Sequence, residues 1–419
     1  MVDLFDALEA ADPKKREVTL FANLVRALAR AKDNQLFWRD RLQGIRPNAI
    51  VSREALARLP VLRKSELHDL QHRDSPFGGL NATPPGELAR LFMSPGPIFE
   101  PGGYAPDWWG AARALFAAGF RRGDIVLNTF SYHLTPAGAM FESGAHALGC
   151  AVIPAGPGNT AQQLAAIAHY RPSAYVGTPD FLRILLGKAK EGDRHTNSIQ
   201  RAVVSGAAFP SSLKDEFRER RLSVHEAYGT AELGIVAYET DGPGLVVNEG
   251  IILEIVRVGT GEPVPDGDVG EVVVTRVNPD YPLFRFATGD LSCVIDRSEL
   301  DGRTNMRIKG WLGRADQTTK IRGMFIHPEQ ITAIAQSYPD LGRLRLVVTR
   351  VGEQDGLRLL AEHSDGSLKD HLSARFSELT KLRGDVEIVP PDSLPNDGKI
   401  IDDHRTELRP DALNEDQKG

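Results

Sequence analysis

Apolar and polar positions follow two alternating patterns from Trp108 to Val224. Stretches such as AARALFAAGF and AQQLAAIAHY repeat apolar residues at the spacing of an amphipathic helix. Short apolar runs such as CAVIPA, SAYVGT and RAVVSGA stand between them and indicate buried strands. This alternation predicts βα units that build a parallel sheet, with ligands bound beyond the carboxyl ends of its strands.

The regions on either side have patterns of their own. Residues 1–75 are typical of helices, and residues 81–103 are so rich in Pro and Gly that they indicate loop over most of their length. Residues 233–310 place β-rich runs between Gly-Pro-Asp turns, which is typical of an antiparallel sheet or barrel. This region therefore predicts a β-rich subdomain next to the parallel sheet.

The chain after Gly313 changes again, to a compact α+β pattern. It predicts a helix near 328–337, strands near 343–349 and 356–361, and a helix near 367–380. We therefore predict an α/β fold with two domains: a large N-terminal domain of βα-layered parallel sheets with a β-rich subdomain (1–313), and a small α+β C-terminal domain (314–419).

Composition narrows the classes of partner. The chain has 50 Lys and Arg against 56 Asp and Glu, a net charge of -6, so no basic face predicts binding to nucleic acid. We expect no membrane segment, because no stretch approaches the ~20 apolar residues that span a bilayer. The N-terminus also lacks the apolar core of a secretory signal. Cys150 and Cys293 lie in apolar runs, which favours buried, reduced thiols and a cytoplasmic protein.

Two segments carry residues suited to a nucleotide. In HEAYGTAELG (225–234), a Gly turn after a predicted strand places Thr230 and Glu232 at one crevice. The hydroxyl suits a phosphate and the carboxylate suits Mg²⁺. In YPLFRFATGDLSCV (281–294), Asp290 follows a Gly turn, and its carboxylate can accept hydrogen bonds from both ribose hydroxyls. Each segment alone also fits an ordinary turn with a solvated acid.

Two later segments add cations. In GRADQTTKIRGMFIHPEQI (313–331), Arg314 can pair with phosphate or ribose oxygens, and Asp316 stands where a hinge would lie. In SLPNDGKI (393–400), Lys399 follows a Gly turn, and its ammonium can neutralise charge that develops on a carboxylate and an α-phosphate. The alternatives are a surface linker and an exposed lysine.

The order and spacing of these four segments resemble the phenylacetate–CoA ligases of the adenylate-forming superfamily, from about residue 60 to 405. The segments FSYHLTPAG (130–138) and SGAAF (205–209) extend the resemblance. It implies ATP-dependent activation of a small, aromatic carboxylic acid to an acyl-adenylate and then to a CoA thioester, with release of AMP and pyrophosphate. The implied cofactors are ATP, Mg²⁺ and CoA. Members often pair as dimers, so a homodimer is one expectation.

The resemblance also implies roles for individual residues. Lys399 would be the catalytic lysine, on a mobile C-terminal domain that rotates about Asp316, with Thr230 at the α-phosphate and Glu232 on Mg²⁺. Tyr132, His133 and Phe141 fall near the implied acyl pocket, although core packing and an exposed histidine explain them equally well. The implied nucleotide site consists of Ser205, Gly206, Ala207, Ala208, Tyr228, Gly229, Asp290 and Arg314.

The segment Ser94–Pro101, SPGPIFEP, departs from the family pattern. The family's phosphate loop is rich in Ser, Thr and Gly and ends in a lysine, whereas here prolines remove N–H donors and Glu100 takes the lysine position. A carboxylate ~4 Å from a phosphate costs about 4 kcal/mol at an effective dielectric of about 20. Either Glu100 points away, or the loop holds the triphosphate differently.

Other departures bear on metal and function. Ala287 replaces an arginine that the family usually has before the Thr-Gly-Asp turn, and residues 296–305 lack a Cys/His cluster, so we predict no structural zinc. Two alternatives to a CoA ligase stay open: a catalytically impaired homologue that binds AMP or an acyl-adenylate, and an adenylating enzyme that loads a carrier thiol.

Overall fold

The computed structural model describes residues 3–94, 97–191, 198–207, 209, 211–295, 301–315, 319–321, 324–326, 328–338, 340–351, 354–395 and 399–406. Its α-helices are α1 (Pro13–Asn34), α2 (Leu36–Arg41), α3 (Arg53–Leu56), α4 (Lys64–Arg73), α5 (Ala112–Ala117), α6 (Ala137–Ala147), α7 (Thr160–Tyr170), α8 (Pro179–Glu191), α9 (Ser211–Glu219), α10 (Pro328–Gln336) and α11 (Lys369–Thr380).

Its strands up to the end of the parallel sheet are β1 (Leu62–Arg63), β2 (Arg90–Ser94), β3 (Ile98–Gly102), β4 (Ile125–Asn128), β5 (Ala151–Pro154), β6 (Ala174–Gly177), β7 (Arg201–Val204) and β8 (Ser223–Thr230). The β-rich region adds β9 (Gly234–Glu239), β10 (Leu245–Val247), β11 (Ile251–Val256), β12 (Gly270–Arg276), β13 (Leu283–Ser292), β14 (Val294–Ile295), β15 (Arg307–Ile308) and β16 (Gly313–Arg314). The remaining strands are β17 (Thr319–Ile321), β18 (Met324–Ile326), β19 (Leu344–Val351), β20 (Gln354–Glu362), β21 (Asp385–Val389) and β22 (Ile401–Asp403).

The largest sheet within these described ranges has nine strands in the order β14-β15-β10-β9-β8-β7-β6-β4-β5. Strands β4 to β8 pair in parallel, and α6 to α9 connect them, so the βα alternation predicted from the sequence is confirmed. From β8 onward the pairing is antiparallel, so β9, β10, β14 and β15 of the β-rich region extend the same sheet. The pairing therefore changes direction at β8.

A second sheet has the order β1-β13-β12-β11, with β16 paired to β13. β1 runs parallel to β13 with Arg63 opposite Ala287, and β16 runs antiparallel to it with Arg314 opposite Asp290. The start of α4 and the residues before position 316 are therefore both anchored on the strand that carries Asp290.

The sequence predicted loop over most of the Pro- and Gly-rich stretch, whereas the structure has two strands there. β2 and β3 form an antiparallel hairpin in which Phe92 faces Glu100. Pro101 is tolerated because, among the described strands, β3 pairs with β2 alone, so the other edge of β3 needs no ladder hydrogen bond at this position. Gln71 of α4 fixes the hairpin, since its side chain donates to the carbonyl of Phe99 at 2.7 Å and accepts from the amide of Phe99 at 2.9 Å.

The C-terminal segment has a hydrophobic cluster of its own, which runs from Ile321 to Ile401. A sheet in the order β21-β20-β19-β22 packs with α10 and α11 around this cluster, which confirms the predicted α+β pattern. Cys150 and Cys293 are buried and unbridged, as predicted. None of the described helices combines the length and the apolar character that a membrane crossing requires.

Candidate active site

A cavity of about 900 Å³ lies at the carboxyl end of the parallel pairing between β7 and β8. Both strands end at the same edge because they run in parallel, with Val204 opposite Glu226. Gly206, with φ +75°, turns the chain directly after β7. This cavity, called here the nucleotide cavity, is lined by Ser205, Gly206, Ala207, Phe209, Lys214, Glu226, Ala227, Tyr228, Gly229, Asp290, Lys309, Gly310 and Trp311.

Six of the residues that the sequence assigned to a nucleotide line this cavity: Ser205, Gly206, Ala207, Tyr228, Gly229 and Asp290. Arg314 joins them through its ion pair with Asp290, at 3.1 Å. Ala208 lies outside the described residues. Glu226 also lines the cavity, and burial, followed by the nearby Glu239 carboxylate, raises the pKa of its carboxyl group.

Asp290 is buried, and its carboxylate is held by three donors. One oxygen accepts from Arg314 Nη1 and from Trp311 Nε1, both at 3.1 Å, and the other accepts from the Tyr228 hydroxyl at 2.9 Å. Burial and then the Asp290 charge raise the pKa of Tyr228, so its phenol stays protonated and keeps donating. A carboxylate has about four lone-pair positions, and three are already used. Both hydroxyls of a ribose can therefore bond to Asp290 only if one of these donors moves away. Trp311 is the most exposed of them.

Thr230 and Glu232 lie at the end of β8 and in the turn to β9. The Thr230 hydroxyl accepts from the amide of Leu233 at 3.2 Å, which shapes this turn. The Glu232 side chain is 0% exposed and forms an ion pair with the Lys64 ammonium at 2.9 Å. No donor among the described residues is aligned for a hydrogen bond to either Glu232 oxygen.

This carboxylate fits a Mg²⁺ ligand. A buried oxygen pair without aligned donors suits a hard cation, and Mg²⁺ is usually bound by one or two carboxylates together with substrate phosphates and water. The described residues contain no cluster of three or more His, Cys, Asp or Glu side chains that could hold a metal by themselves. Glu232 would therefore share the ion with the phosphates of ATP.

Glu100 bonds to its own hairpin, at the end of β2 next to the turn. Its side chain is fully buried, where it accepts hydrogen bonds from the amide of Ser94 at 3.2 Å and from the Ser94 hydroxyl. Burial is the main cause that raises the pKa of Glu100 to about 7, and the Glu232 charge adds to it. The carboxyl group thus occupies the Ser94 amide, and it is partly protonated at neutral pH.

The three residues expected near an acyl pocket lie apart from the wall of the nucleotide cavity. His133 is exposed, and the Tyr132 hydroxyl accepts from Asn128 Nδ2 at 2.8 Å. Phe141 is buried and stacks on Phe130, with ring centroids 4.8 Å apart. Phe130 reaches within 3.8 Å of the position that a Cβ atom on Gly206 would take, so this aromatic stack lies beneath the cavity's loop.

Comparisons with known proteins bear on this geometry. Residues 108–278 match the family model described as AMP-binding enzyme. The phenylacetate-coenzyme A ligase of Pseudomonas putida is 30% identical over 348 residues, which cover 78% of this chain and 77% of that enzyme. This chain belongs to the phenylacetate–CoA ligase family.

Two further comparisons extend over most of this family member. The phenylacetate-coenzyme A ligase of Thermus thermophilus is 29% identical over 384 residues, covering 85% of this chain and 84% of that enzyme. A crystal structure of 2-hydroxyisobutyryl-CoA ligase in an open conformation, in complex with 2-HIB-AMP and CoA, superposes with a TM-score of 0.71 at 25% identity. That match covers 93% of this chain and 91% of the solved one, and the predicted adenylate-forming fold is confirmed.

In this phenylacetate–CoA ligase family member, Lys399 does not meet Asp290. It lines a separate cavity of about 500 Å³ between the C-terminal segment and the turn region 257–269, and its ammonium pairs with Asp402 at 3.1 Å. The side chain is 46% exposed, so little packing fixes it there. Asp316, the expected hinge, lies outside the described residues.

Sequence reasoning missed Lys64 and Trp311. Lys64 begins α4 and meets Glu232, and Trp311 precedes β16 and meets Asp290. The Trp311 contact depends on the pairing of β16 with β13, and the Lys64 contact joins α4, which follows β1, to the β8–β9 turn of the other sheet. The one available signal was the position of Trp311, two residues before the segment that starts at Gly313, and none of the four segments lies next to Lys64.

Proposed function

We propose that this protein activates a small, aromatic carboxylic acid with ATP, forms the acyl-adenylate and then transfers the acyl group to CoA. AMP and pyrophosphate are the other products. The observation that carries the proposal is the buried Asp290 carboxylate, which lines the nucleotide cavity and is oriented by Tyr228 of β8, the strand that leads to Glu232, and by Arg314. The aromatic acid is inferred from the phenylacetate named for the relatives.

The residue roles proposed here are those that the family resemblance implies. Asp290 accepts from the ribose hydroxyls, the loop of Ser205 to Ala207 faces the adenine and the acyl group, and Thr230 donates to the α-phosphate. Glu232 holds Mg²⁺, which supplies charge screening for the phosphates when bound. A carboxylate oxygen of the acid attacks the α-phosphorus and pyrophosphate leaves. The CoA sulfur then attacks the acyl carbon and AMP leaves.

Lys399 requires a movement of the C-terminal segment, which we propose to be a domain that begins near residue 314. Its separate hydrophobic cluster, from Ile321 to Ile401, supports movement as one body. Arg314 and Ala315 are bonded to β13, so the chain first leaves the large part after Ala315. A pivot at Asp316 would carry Lys399 to the carboxylate and the α-phosphate, where its charge stabilises the transition state.

The hairpin gives a reason to keep a second candidate. Because Glu100 occupies the Ser94 amide, the segment offers less to the β- and γ-phosphates than a phosphate loop would. A homologue that binds AMP or an acyl-adenylate without turnover is therefore the alternative. An exchange assay separates the two, since incorporation of labelled pyrophosphate into ATP in the presence of an acid requires reversible adenylation.

The main proposal is tested by incubating the protein with ATP, Mg²⁺, CoA and a panel of aryl and small aliphatic acids. AMP and pyrophosphate should be released in equal amounts with at least one acid, and the Asp290→Asn variant should be much slower. Silence across a broad panel would contradict the proposal. A homodimer and a cytoplasmic location stay predictions, which light scattering and cell fractionation can test.

A further inference from the structure

A second cavity, of about 230 Å³, lies between the start of α4 and β13. We name it the α4 cavity, and the residues of its wall that matter here are Arg63, Lys64, His68, Ile98, Gly289 and Arg314. The start of α4 is firmly placed, since the Glu66 carboxylate accepts from the amide of Arg63 at 2.8 Å and β1 pairs with β13. The cations of this wall therefore have fixed backbone positions.

Two of these cations connect the α4 cavity to the proposed nucleotide ligands. Lys64 is the ion-pair partner of Glu232, at 2.9 Å, and Arg314 is the partner of Asp290, at 3.1 Å. Asp290 is proposed to hold the ribose, and Glu232 to hold the Mg²⁺ that bridges the phosphates. The β- and γ-phosphates of ATP would then lie near the Mg²⁺ held by Glu232. Lys64 and Arg314, the partners of Glu232 and Asp290, both border the α4 cavity.

The charge of the wall suits a polyphosphate. Arg63, Lys64 and Arg314 contribute three cations, and Glu271 contributes one carboxylate, which is paired with Arg63 at 3.0 Å. His68 adds an imidazole that lies 3.3 Å from Asp69. Each of these cations has a carboxylate partner, since Lys64 pairs with Glu232 and Arg314 with Asp290. A polyphosphate therefore gains the charge of Lys64 when Mg²⁺ takes over Glu232, while the Glu271 carboxylate holds Arg63 in place.

The β2–β3 hairpin, in contrast, brings no cation to this space. It contributes the apolar side chain of Ile98 to the wall, while Glu100 is fully buried and accepts a hydrogen bond from the amide of Ser94. Gln71 holds the hairpin against α4, so the hairpin and the α4 cations lie on neighbouring walls.

We infer that the β- and γ-phosphates of ATP, and the pyrophosphate that leaves, bind in the α4 cavity and are held chiefly by Lys64 and Arg63 of the β1–α4 junction rather than by the hairpin. The inference rests on the proposed function and assigns the residues that bind the departing pyrophosphate. Lys64 neutralises the buried Glu232 before ATP arrives, and it turns to the phosphates when Mg²⁺ takes over that carboxylate.

Binding measurements with two nucleotides test this assignment. Lys64→Gln should weaken binding of MgATP by roughly tenfold or more, the size expected for a contact between charged groups, while affinity for AMP stays within about twofold. Lys64→Arg should restore most of the affinity for MgATP. Lys14→Gln, an exposed lysine on α1, is the matched control and should leave both affinities unchanged. Titration calorimetry gives both constants without turnover.

Arg63→Gln gives an independent test if loss of the Lys64–Glu232 pair prevents folding, since it leaves that pair intact. It should weaken binding of MgATP and of magnesium pyrophosphate by about threefold or more, again without loss of AMP affinity. Equal loss of ATP and AMP affinity in these variants, or unchanged ATP affinity, would overturn the inference. If the unmodified protein binds neither nucleotide, the proposed function itself fails. If the unmodified protein binds AMP and ATP, and the variants keep the same ratio of the two affinities, only the assignment of the phosphates to the α4 cavity fails.

Discussion

Replacement of Glu100 by glutamine, Glu100→Gln, tests the part of the site that departs most from its family. The side chain is fully buried, and burial with the nearby Glu232 charge raises the pKa of the carboxyl group from 4.5 to about 7. Each pKa unit corresponds to about 1.4 kcal/mol, so ionised Glu100 lowers the free energy of unfolding by about 3 kcal/mol.

The sign of the pH dependence follows from which state binds the proton. The folded protein keeps the Glu100 proton at pH values where the unfolded chain has released it. The penalty is therefore absent below pH 4.5, grows as the pH rises and is complete above about pH 7. Glutamine carries no charge and still offers an acceptor oxygen to Ser94, so the variant escapes the penalty.

Urea unfolding without Mg²⁺ measures this difference. At about pH 5 the two proteins should have similar free energies of unfolding, and at about pH 8 Glu100→Gln should be more stable by about 2 to 3 kcal/mol. Glu87→Gln, an exposed site just before the hairpin, is the matched control and should show no such divergence. Parallel pH profiles for the wild type and Glu100→Gln would refute the buried, proton-binding carboxyl group.

Three further substitutions test the nucleotide site and the lysine. Asp290→Asn should weaken AMP binding by roughly tenfold or more in calorimetry, because the ribose hydroxyls lose a charged acceptor; unchanged affinity would remove Asp290 from the site. Trp311→Phe deletes a donor that competes with the ribose, so AMP affinity should rise several-fold, and the emission change on AMP binding should vanish because Trp38, Trp108 and Trp109 are buried. A fall in affinity would mean that the indole contacts the nucleotide. Lys399→Ala should slow pyrophosphate exchange by roughly 100- to 1,000-fold with an unchanged unfolding midpoint, since the side chain is 46% exposed; normal exchange would exclude it from adenylation.

The regular part of the fold could be predicted from the sequence because the spacing of apolar residues and the positions of turn residues indicate the same elements there. The parallel strands β4 to β8 are short apolar runs between amphipathic helices, and α10, β19, β20 and α11 fall close to their predicted places. The β2–β3 hairpin was missed because its Pro and Gly residues indicate loop, while a two-stranded pair whose outer edges join no further described strand tolerates them.

The segments that carry the nucleotide-site residues were predicted from the sequence, but the side chains that pair with these residues were not. Ser205 to Ala207 and Tyr228 meet because parallel strands end at one edge, a rule that applies to any such sheet. The pair Trp311–Asp290 depends instead on how β16 pairs with β13, and the pair Lys64–Glu232 on how α4, which follows β1, meets the β8–β9 turn of the other sheet. Two-residue strands such as these leave almost no periodic signal.

Detection of the intermediate by mass spectrometry tests the central claim most directly. The protein is incubated with a mixed acid library, ATP and Mg²⁺ but without CoA, and the bound nucleotide fraction is analysed. We predict an ion with the mass of an acyl-AMP for at least one acid, which disappears on addition of CoA as the matching acyl-CoA forms. Bound AMP or ATP with no acyl-AMP from any acid would contradict the assignment of this site to acid activation.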